Sequence, residues 1–378
     1  MKPFDITLCL IVKDEEEYLS TCIESVLPFV KNILIADTGS TDQTISLSRK
    51  YTEHVEKISF VDGFSHARNY LLERVRTDWV LFLDADEYFE STELNKLADY
   101  FVEKAAHVDA FNILRYNFFS TGAFYTSETI KLFRSKPDIR YSGVIVDSIK
   151  PSLKERGVIV DVPVILNHFG HCRSLDIRNK KAEVYLKMMD QELSINPSNF
   201  RVIGYKALVL RTLGKLSEAL LYSDKALEVA PEQGHPHFVK GHIERVYGNH
   251  ECSILFYSKA LELDGINAVY LNCRGIAYLS QGNLEKAEID FKNGIERFPH
   301  HIHFKINLGL VEQAKGNYKE AFDLFKTVGE QHPAFLKDRF SGISEVDPYS
   351  GCIYDTAFNF HGLGYHLAYC QAKMQGLL

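Results

Sequence analysis

Apolar positions along the first hundred residues fall into two alternating rhythms. Ile6–Val12, Asn32–Ala36 and Trp79–Leu83 are short runs rich in branched or aromatic residues, with the length of strands buried on both faces. His54–Ser59 is a weaker strand-like run. Between them the spacing turns helical. Tyr18, Leu19, Cys22, Ile23, Val26 and Leu27 share one face of a helix expected over 15–27, closed by Pro28. Asp42 suits the N-cap of a helix over 43–51, and residues 66–75 read as a third helix. This βαβαβαβ order implies a doubly wound, mostly parallel sheet with helices on both faces. Over 108–168 strand-like runs at 109–115, 129–134, 139–143 and 158–166 follow one another without a convincing helix. They are expected to add partly antiparallel strands to the same domain.

From about residue 174 the pattern is helical. Leu175–Leu193 reads as a long amphipathic helix, and then a period of 34 residues sets in. Gly214, Gly248, Gly282 and Gly316 share one position in it. So do Ala207, Gly241, Gly275 and Gly309, and so do Ala219, Ser253, Ala287 and Ala321. Pro231, Pro299 and Pro333 recur, with Gly265 in the remaining slot. Small residues where helices cross, a turn glycine and a closing proline at this period make the tetratricopeptide pattern. The domains expected are therefore 1–173 for the α/β part, 174–199 for a linker helix, 200–335 for four repeats and 336–378 for a C-terminal cap, since solenoid ends need a polar outer face.

A net charge of −7 argues against a general nucleic-acid binder, although not against a nucleotide ligand. No apolar run is long enough to span a bilayer, and the first one leads into Lys-Asp-Glu-Glu-Glu rather than following a basic segment. A cytoplasmic protein is expected. The seven Cys are scattered without a C-x-x-C, which fits reduced thiols. His168, His171 and Cys172 cluster, but a zinc site would need a second half.

The chemistry gathers at strand ends. In an open parallel sheet ligands bind outside the carboxyl ends of the strands. There the chain places Asp14, Asp37, Asp84 and Asp86, an acidic rim that is repulsive without a positive partner. The chain has no glycine-rich phosphate cradle of either common type. A bound diphosphate would need Mn²⁺ or Mg²⁺, held by one or two carboxylates and by its own oxygens, and Asp84 and Asp86 present that hard-cation site. A carboxylate also suits the N3–H of uracil, and Asp37 is placed for it. Asp14 with Glu17 also suits a helix cap.

Leu10–Leu19, Ile33–Thr44, Phe64–Asn69 and Phe82–Phe89, in this order and spacing, resemble family 2 glycosyltransferases of the GT-A fold over roughly residues 4–172. The layout, with helical repeats after the catalytic domain, is similar to bacterial peptide and protein glycosyltransferases, the glycocin S-glycosyltransferases among them. The resemblance implies that Asp37 contacts uracil, that Asp84 reaches the ribose and that Asp86 holds the metal. Arg68 would face the nucleotide or its phosphates. Asp14 stands where the family has Asn. A His-Glu pair of the family would fall on Val146 and Asp147, and a later H-x-G-Y motif appears as His168-Phe169-Gly170-His171, adding His168 to the metal site.

An inverting, metal-dependent glycosyltransferase is therefore expected, moving a sugar from a nucleotide donor, UDP-linked by this reading, to an acceptor hydroxyl or thiol. The base candidates after the D-x-D are Asp109, Glu128, Asp138, Asp147 and Asp161; Asp147 matches the family position and Glu128 is the runner-up. The acceptor is a peptide, a protein or a glycan. The repeats would hold it or would pair two copies of the chain. Alternatives are an enzyme of cell-surface polysaccharide or lipopolysaccharide synthesis, and a repeat scaffold with a catalytically weak sugar-nucleotide domain. Nucleotidyl transfer would call for a basic, glycine-rich loop after the first strand, where the chain is acidic.

Overall fold

The computed structural model describes residues 3–60, 63–119, 124–145, 147–154, 157–331 and 362–378. It divides into two compact units, 1–117 with 127–171, and 118–126 with 172–378.

The first unit is built on an eight-stranded sheet in the order β3-β2-β1-β4-β7-β6-β8-β5. Strands β1 (Ile6–Val12), β2 (Asn32–Asp37), β3 (Val55–Lys57) and β4 (Trp79–Asp84) form its parallel half. The antiparallel half holds β5 (Glu87–Tyr88), β6 (Ala110–Phe119), β7 (Phe124–Arg134) and β8 (Ile159–His171). Alternate residues of one strand feed opposite faces. Ile6, Leu8, Leu10, Trp79, Leu81 and Leu83 pack on one side with helices α1 (Leu19–Val26) and α4 (Ser91–Lys104). Cys9, Val80 and Phe82 pack on the other with α3 (Gly63–Leu72). Both faces are thus covered, as the apolar runs require.

Several elements depart from expectation. Helix α1 starts at Leu19 rather than at 15, because Asp14 takes a left-handed φ of 53° and the next backbone N–H groups are already used. Glu15 N–H donates to Thr44 Oγ1 (2.7 Å) and Glu16 N–H to Asp42 Oδ2 (3.1 Å). Asp14 and Glu17 therefore do not cap α1, whose N-cap is Tyr18 with no side-chain bond. Helix α2 (Thr44–Ser48) is shorter than expected, and Asp42 accepts from Thr44 N–H at 2.9 Å ahead of it. Residues 139–143 form no strand, only a bridge between Ser142 and Ser148. Helices α4 and α5 (Lys150–Lys154) and strand β5 were not expected.

The second unit opens with α6 (Leu175–Ile195), capped by Ser174. Eight helices then pair off: α7 (Phe200–Thr212) with α8 (Leu216–Val229), α9 (Gly234–Val246) with α10 (His250–Asp264), α11 (Ala268–Ser280) with α12 (Leu284–Arg297), and α13 (His303–Lys315) with α14 (Tyr318–Gln331). The periodic columns become contacts. Gly214, Gly248, Gly282 and Gly316 all hold φ between 72° and 84°, the left-handed turn that favours glycine. A Cβ on Gly241, Gly275 or Gly309 would lie 2.9, 2.5 or 2.6 Å from the ring of Tyr257, Phe291 or Phe325 on the paired helix. A further column holds cations. Lys206 bonds Asp190, Lys240 pairs with Asp224 (2.6 Å), and Arg274 donates to Ser258 (3.2 Å), each sixteen residues back. Helix α15 (Leu363–Met374) ends the chain; the first part of the expected cap, 336–361, lies outside the described residues, as do Pro333 and Val146. Among the described residues no helix is long and apolar enough to cross a membrane.

Candidate active site

Asp84 is the last residue of β4 and Asp86 lies in the turn between it and β5, at the carboxyl edge of the parallel strands. The chain supplies positive partners for them. Asp84 Oδ1 accepts from Arg68 at 3.1 Å, and Asp84 Oδ2 from Lys131 at 3.1 Å, with Arg115 at 3.9 Å. Burial alone would raise the pKa of this carboxyl, but Lys131, Arg68 and Arg115 together hold it well below the ordinary carboxylate range. Glu87 is fully buried. It binds Lys131 (2.7 Å) and Arg115 (3.1 Å), and accepts the Asp84 backbone N–H at 2.9 Å, which fixes the turn.

Asp86 is buried and faces the other way. Its Oδ1 lies 3.4 Å from His168 Nε2, and its carbonyl accepts from Phe169 N–H at 3.0 Å. His168 Nδ1 lies 2.7 Å from Asn117 Oδ1. Asn117 thus orients the His168 ring with Nε2 turned toward Asp86. Gly170 makes this approach feasible. A Cβ there would lie 2.7 Å from His168 Nε2 and 2.9 Å from Asp86 Oδ2.

Arg68 joins the donor edge to a second carboxylate. Its Nε ion-pairs with Asp147 Oδ2 at 2.8 Å while its NH2 holds Asp84. The guanidinium lies over Phe82 (4.6 Å) and against Tyr141 (5.1 Å). Burial works against its charge, but Asp84 and Asp147 keep it firmly protonated. Asp147 is mostly buried, and that burial raises its pKa against the opposing pull of Arg68.

The loop that carries Asp147 is strapped to α3 by the segment 63–69. Phe64 N–H donates to the Val144 carbonyl (3.0 Å) and the Ser65 hydroxyl bonds the Gly143 carbonyl. Asn69 makes two bonds to Tyr141, donating to its carbonyl and accepting its N–H, both at 2.9 Å. Gly63 holds φ 81°, and a Cβ there would strike the Val144 carbonyl at 2.5 Å. These bonds explain why 139–143 forms no strand: its backbone groups are taken by α3.

Asp37 ends β2 fully buried. Its Oδ1 accepts the N–H groups of Gly39 (3.0 Å) and Ser40 (3.1 Å), while its Oδ2 is buried without a hydrogen-bond partner. Asp14 serves the neighbouring loop, accepting from Thr41 N–H (2.7 Å) and Thr41 Oγ1 (3.1 Å).

Glu128 is brought into a different network. Asn112 Nδ2 donates to Glu128 (3.2 Å) and to Asp161 (2.8 Å). Asp109 pairs with Lys136 and accepts Val158 N–H. The structure thus gathers Arg68, Asp84, Asp86, Asp147 and His168 into linked contacts. Lys131, Arg115, Glu87 and Asn117 join them, although none of the four stood out in the sequence. The one local signal for Lys131 was its place beside Leu132-Phe133-Arg134. Among the described residues no three or more His, Cys, Asp or Glu side chains form a complete metal cage.

Residues 7–152 match the family model "Glycosyl transferase family 2". A TPR repeat-containing protein of Synechococcus elongatus is 28% identical over 277 residues, 70% of this chain and 68% of that protein. The SPbeta prophage-derived glycosyltransferase SunS of Bacillus subtilis is 26% identical over 231 residues, 59% of this chain; the match spans 53% of SunS, about half its length. Among solved structures, MamA overlaps 43% of this chain and 96% of its own at 19% identity, with a TM-score of 0.37. The N-terminal domain of this chain therefore belongs to glycosyl transferase family 2, and tetratricopeptide-type repeats follow it.

Proposed function

We propose that the chain moves a glycosyl group from a UDP-sugar to an acceptor hydroxyl or thiol by one in-line displacement that inverts the sugar. The reading rests on the family match and on one observation: Arg68 joins the strand-end carboxylate Asp84 to the buried carboxylate Asp147. One edge thus offers a donor side and a proton acceptor. Asp37 supports the nucleobase assignment, since its buried Oδ2 is an acceptor lacking a donor, which the N3–H of uracil would supply.

Charge argues for a cation. Arg68, Arg115 and Lys131 pair with Asp84, Glu87 and Asp147, and Asp86 adds a fourth carboxylate, so the cluster carries one excess negative charge before any diphosphate arrives. Asp84 is already neutralised by its basic neighbours. Asp86 and His168 offer an oxygen and a nitrogen donor with room enforced by Gly170, a set that suits Mn²⁺ or Mg²⁺ completed by phosphate oxygens and water. Bound there, such an ion would neutralise charge on the departing diphosphate. Asn117 orients His168. The segment 63–69 holds Asp147 against α3, and Asp147 takes the acceptor proton. The acceptor is, in our reading, a peptide or protein segment, because stacked helical repeats present extended binding surfaces.

The test is release of UDP from a panel of UDP-sugars by purified protein with Mn²⁺, with water as the default acceptor. Slow hydrolysis that EDTA stops, and that Asp86→Ala loses, supports the proposal. A protein that neither binds UDP nor hydrolyses any UDP-sugar in Mn²⁺ contradicts it.

A further inference from the structure

Three large aliphatic side chains stand in the open at the 34-residue period. Leu221 on α8, Leu255 on α10 and Ile289 on α12 are 64%, 70% and 65% exposed. They occupy one column of successive second helices, so they recur on the same face of three repeats in a row. On α14 the same column holds Asp323, which ends it. Isolated exposed aliphatics are ordinary, but a row in register is a surface that favours company.

We propose that this stripe is an interface between two copies of the chain, related by a two-fold axis running along it. The flanking charges select both the occupant and the axis. On a helix the residues three and four away from the stripe flank it on either side. With the axis along the stripe, each helix meets its own counterpart running the opposite way. Residue i+4 of one copy then faces residue i−3 of the other, and i+3 faces i−4. On α8 this sets Lys225 against Glu218 of the second copy. On α12 it sets Lys292 against Glu285. Symmetry doubles both pairs, and no like charges face each other. All four residues are exposed; Lys292 also pairs with Glu288 on its own helix, an exposed contact that it can trade for Glu285 of the second copy. The alternative two-fold, along the helices, would match α8 with α12. It would set Lys225 against Lys292 and Glu218 against Glu285, which repel. The stripe is therefore self-complementary in one orientation, as an isologous interface must be.

Light scattering on the full chain after gel filtration tests this. Wild-type protein is expected at twice the chain mass. Leu255→Glu is expected at the chain mass with unchanged circular dichroism and melting temperature, because the side chain it replaces lies outside the core. Lys225→Glu would face Glu218 and weaken the dimer; adding Glu218→Lys in the same chain would restore it. A monomeric wild type, or a dimer that survives Leu255→Glu together with Ile289→Glu, overturns the proposal. So does a Lys225→Glu dimer as tight as the wild type.

Discussion

At the scale of single residues, Arg68 is the hinge of the chemistry. It is held by Asp84 and by Asp147, so an arriving diphosphate competes with both carboxylates for one guanidinium. Asp147→Asn removes one competitor. We expect that variant to bind UDP roughly fivefold more tightly, about 1 kcal/mol. Its sugar transfer should fall by about 10²–10⁴-fold, as loss of a general base does. Calorimetry and a turnover assay read the two effects separately, and UDP binding weakened by the substitution would contradict the shared-guanidinium picture. The burial of Asp147 raises its pKa, and a base works deprotonated. Activity should therefore rise with pH through a value higher than that of an ordinary aspartate. Asn69 acts at one remove, through Tyr141. Asn69→Ala should lower turnover with little change in UDP affinity, and equal losses in both would assign it to the donor side. Asp37, Asp84 and Asp86 were legible in the sequence because strand ends announce themselves. Lys131, Arg115 and Glu87 were not, because their roles come from antiparallel strands that meet β4 only in three dimensions. The sequence raised the repulsion between the strand-end carboxylates; the structure adds basic side chains that balance Asp84.

At the scale of elements, the repeats were the most legible part of the chain. Gly275 shares its column with Ala207, Gly241 and Gly309, and Phe291 shares one with Ser223, Tyr257 and Phe325, so the period alone aligns both columns. Gly275→Ala should cost about 1–3 kcal/mol, since its Cβ would lie 2.5 Å from the Phe291 ring and force a shift. Thermal denaturation checks this, and a melting temperature equal to wild type would mean that the helices yield freely. The repeats also carry buried histidines. Burial lowers the pKa of His235 to about 4 and holds those of His242 and His303 well below the ordinary value. The unfolded chain takes up these protons first as pH falls, so stability is full above the ordinary histidine pKa and declines below it. Between pH 7 and 5 His235 should cost about 2 kcal/mol, and His242 and His303 lower stability in the same direction. A repeat unit melting at the same temperature at both pH values would contradict this. In the α/β unit, α4 was open to reading, since Leu94, Leu97, Ala98 and Phe101 keep helical spacing and are buried. Strand β5 was not: two residues become a strand only by pairing with Asn167 and His168. The loop at 139–143 looked like a strand because Ile139 and Tyr141 alternate with polar residues, yet its backbone hydrogen bonds go to Ser65, Asn69 and Ser152.

At the scale of the molecule, a family 2 glycosyltransferase domain precedes a repeat solenoid. That arrangement was legible because short buried runs alternate with helical spacing in the first half, whereas the second repeats every 34 residues. Metal and nucleotide are the central chemical claim, and calorimetric titration with UDP tests it most directly. Wild-type protein should bind UDP in Mn²⁺ and lose that binding in EDTA, while Asp86→Ala should bind weakly even in excess Mn²⁺ and keep a normal melting temperature. Equal UDP affinity with and without the metal, or undiminished affinity in Asp86→Ala, would contradict the assignment of Asp86 and His168 as the cation site.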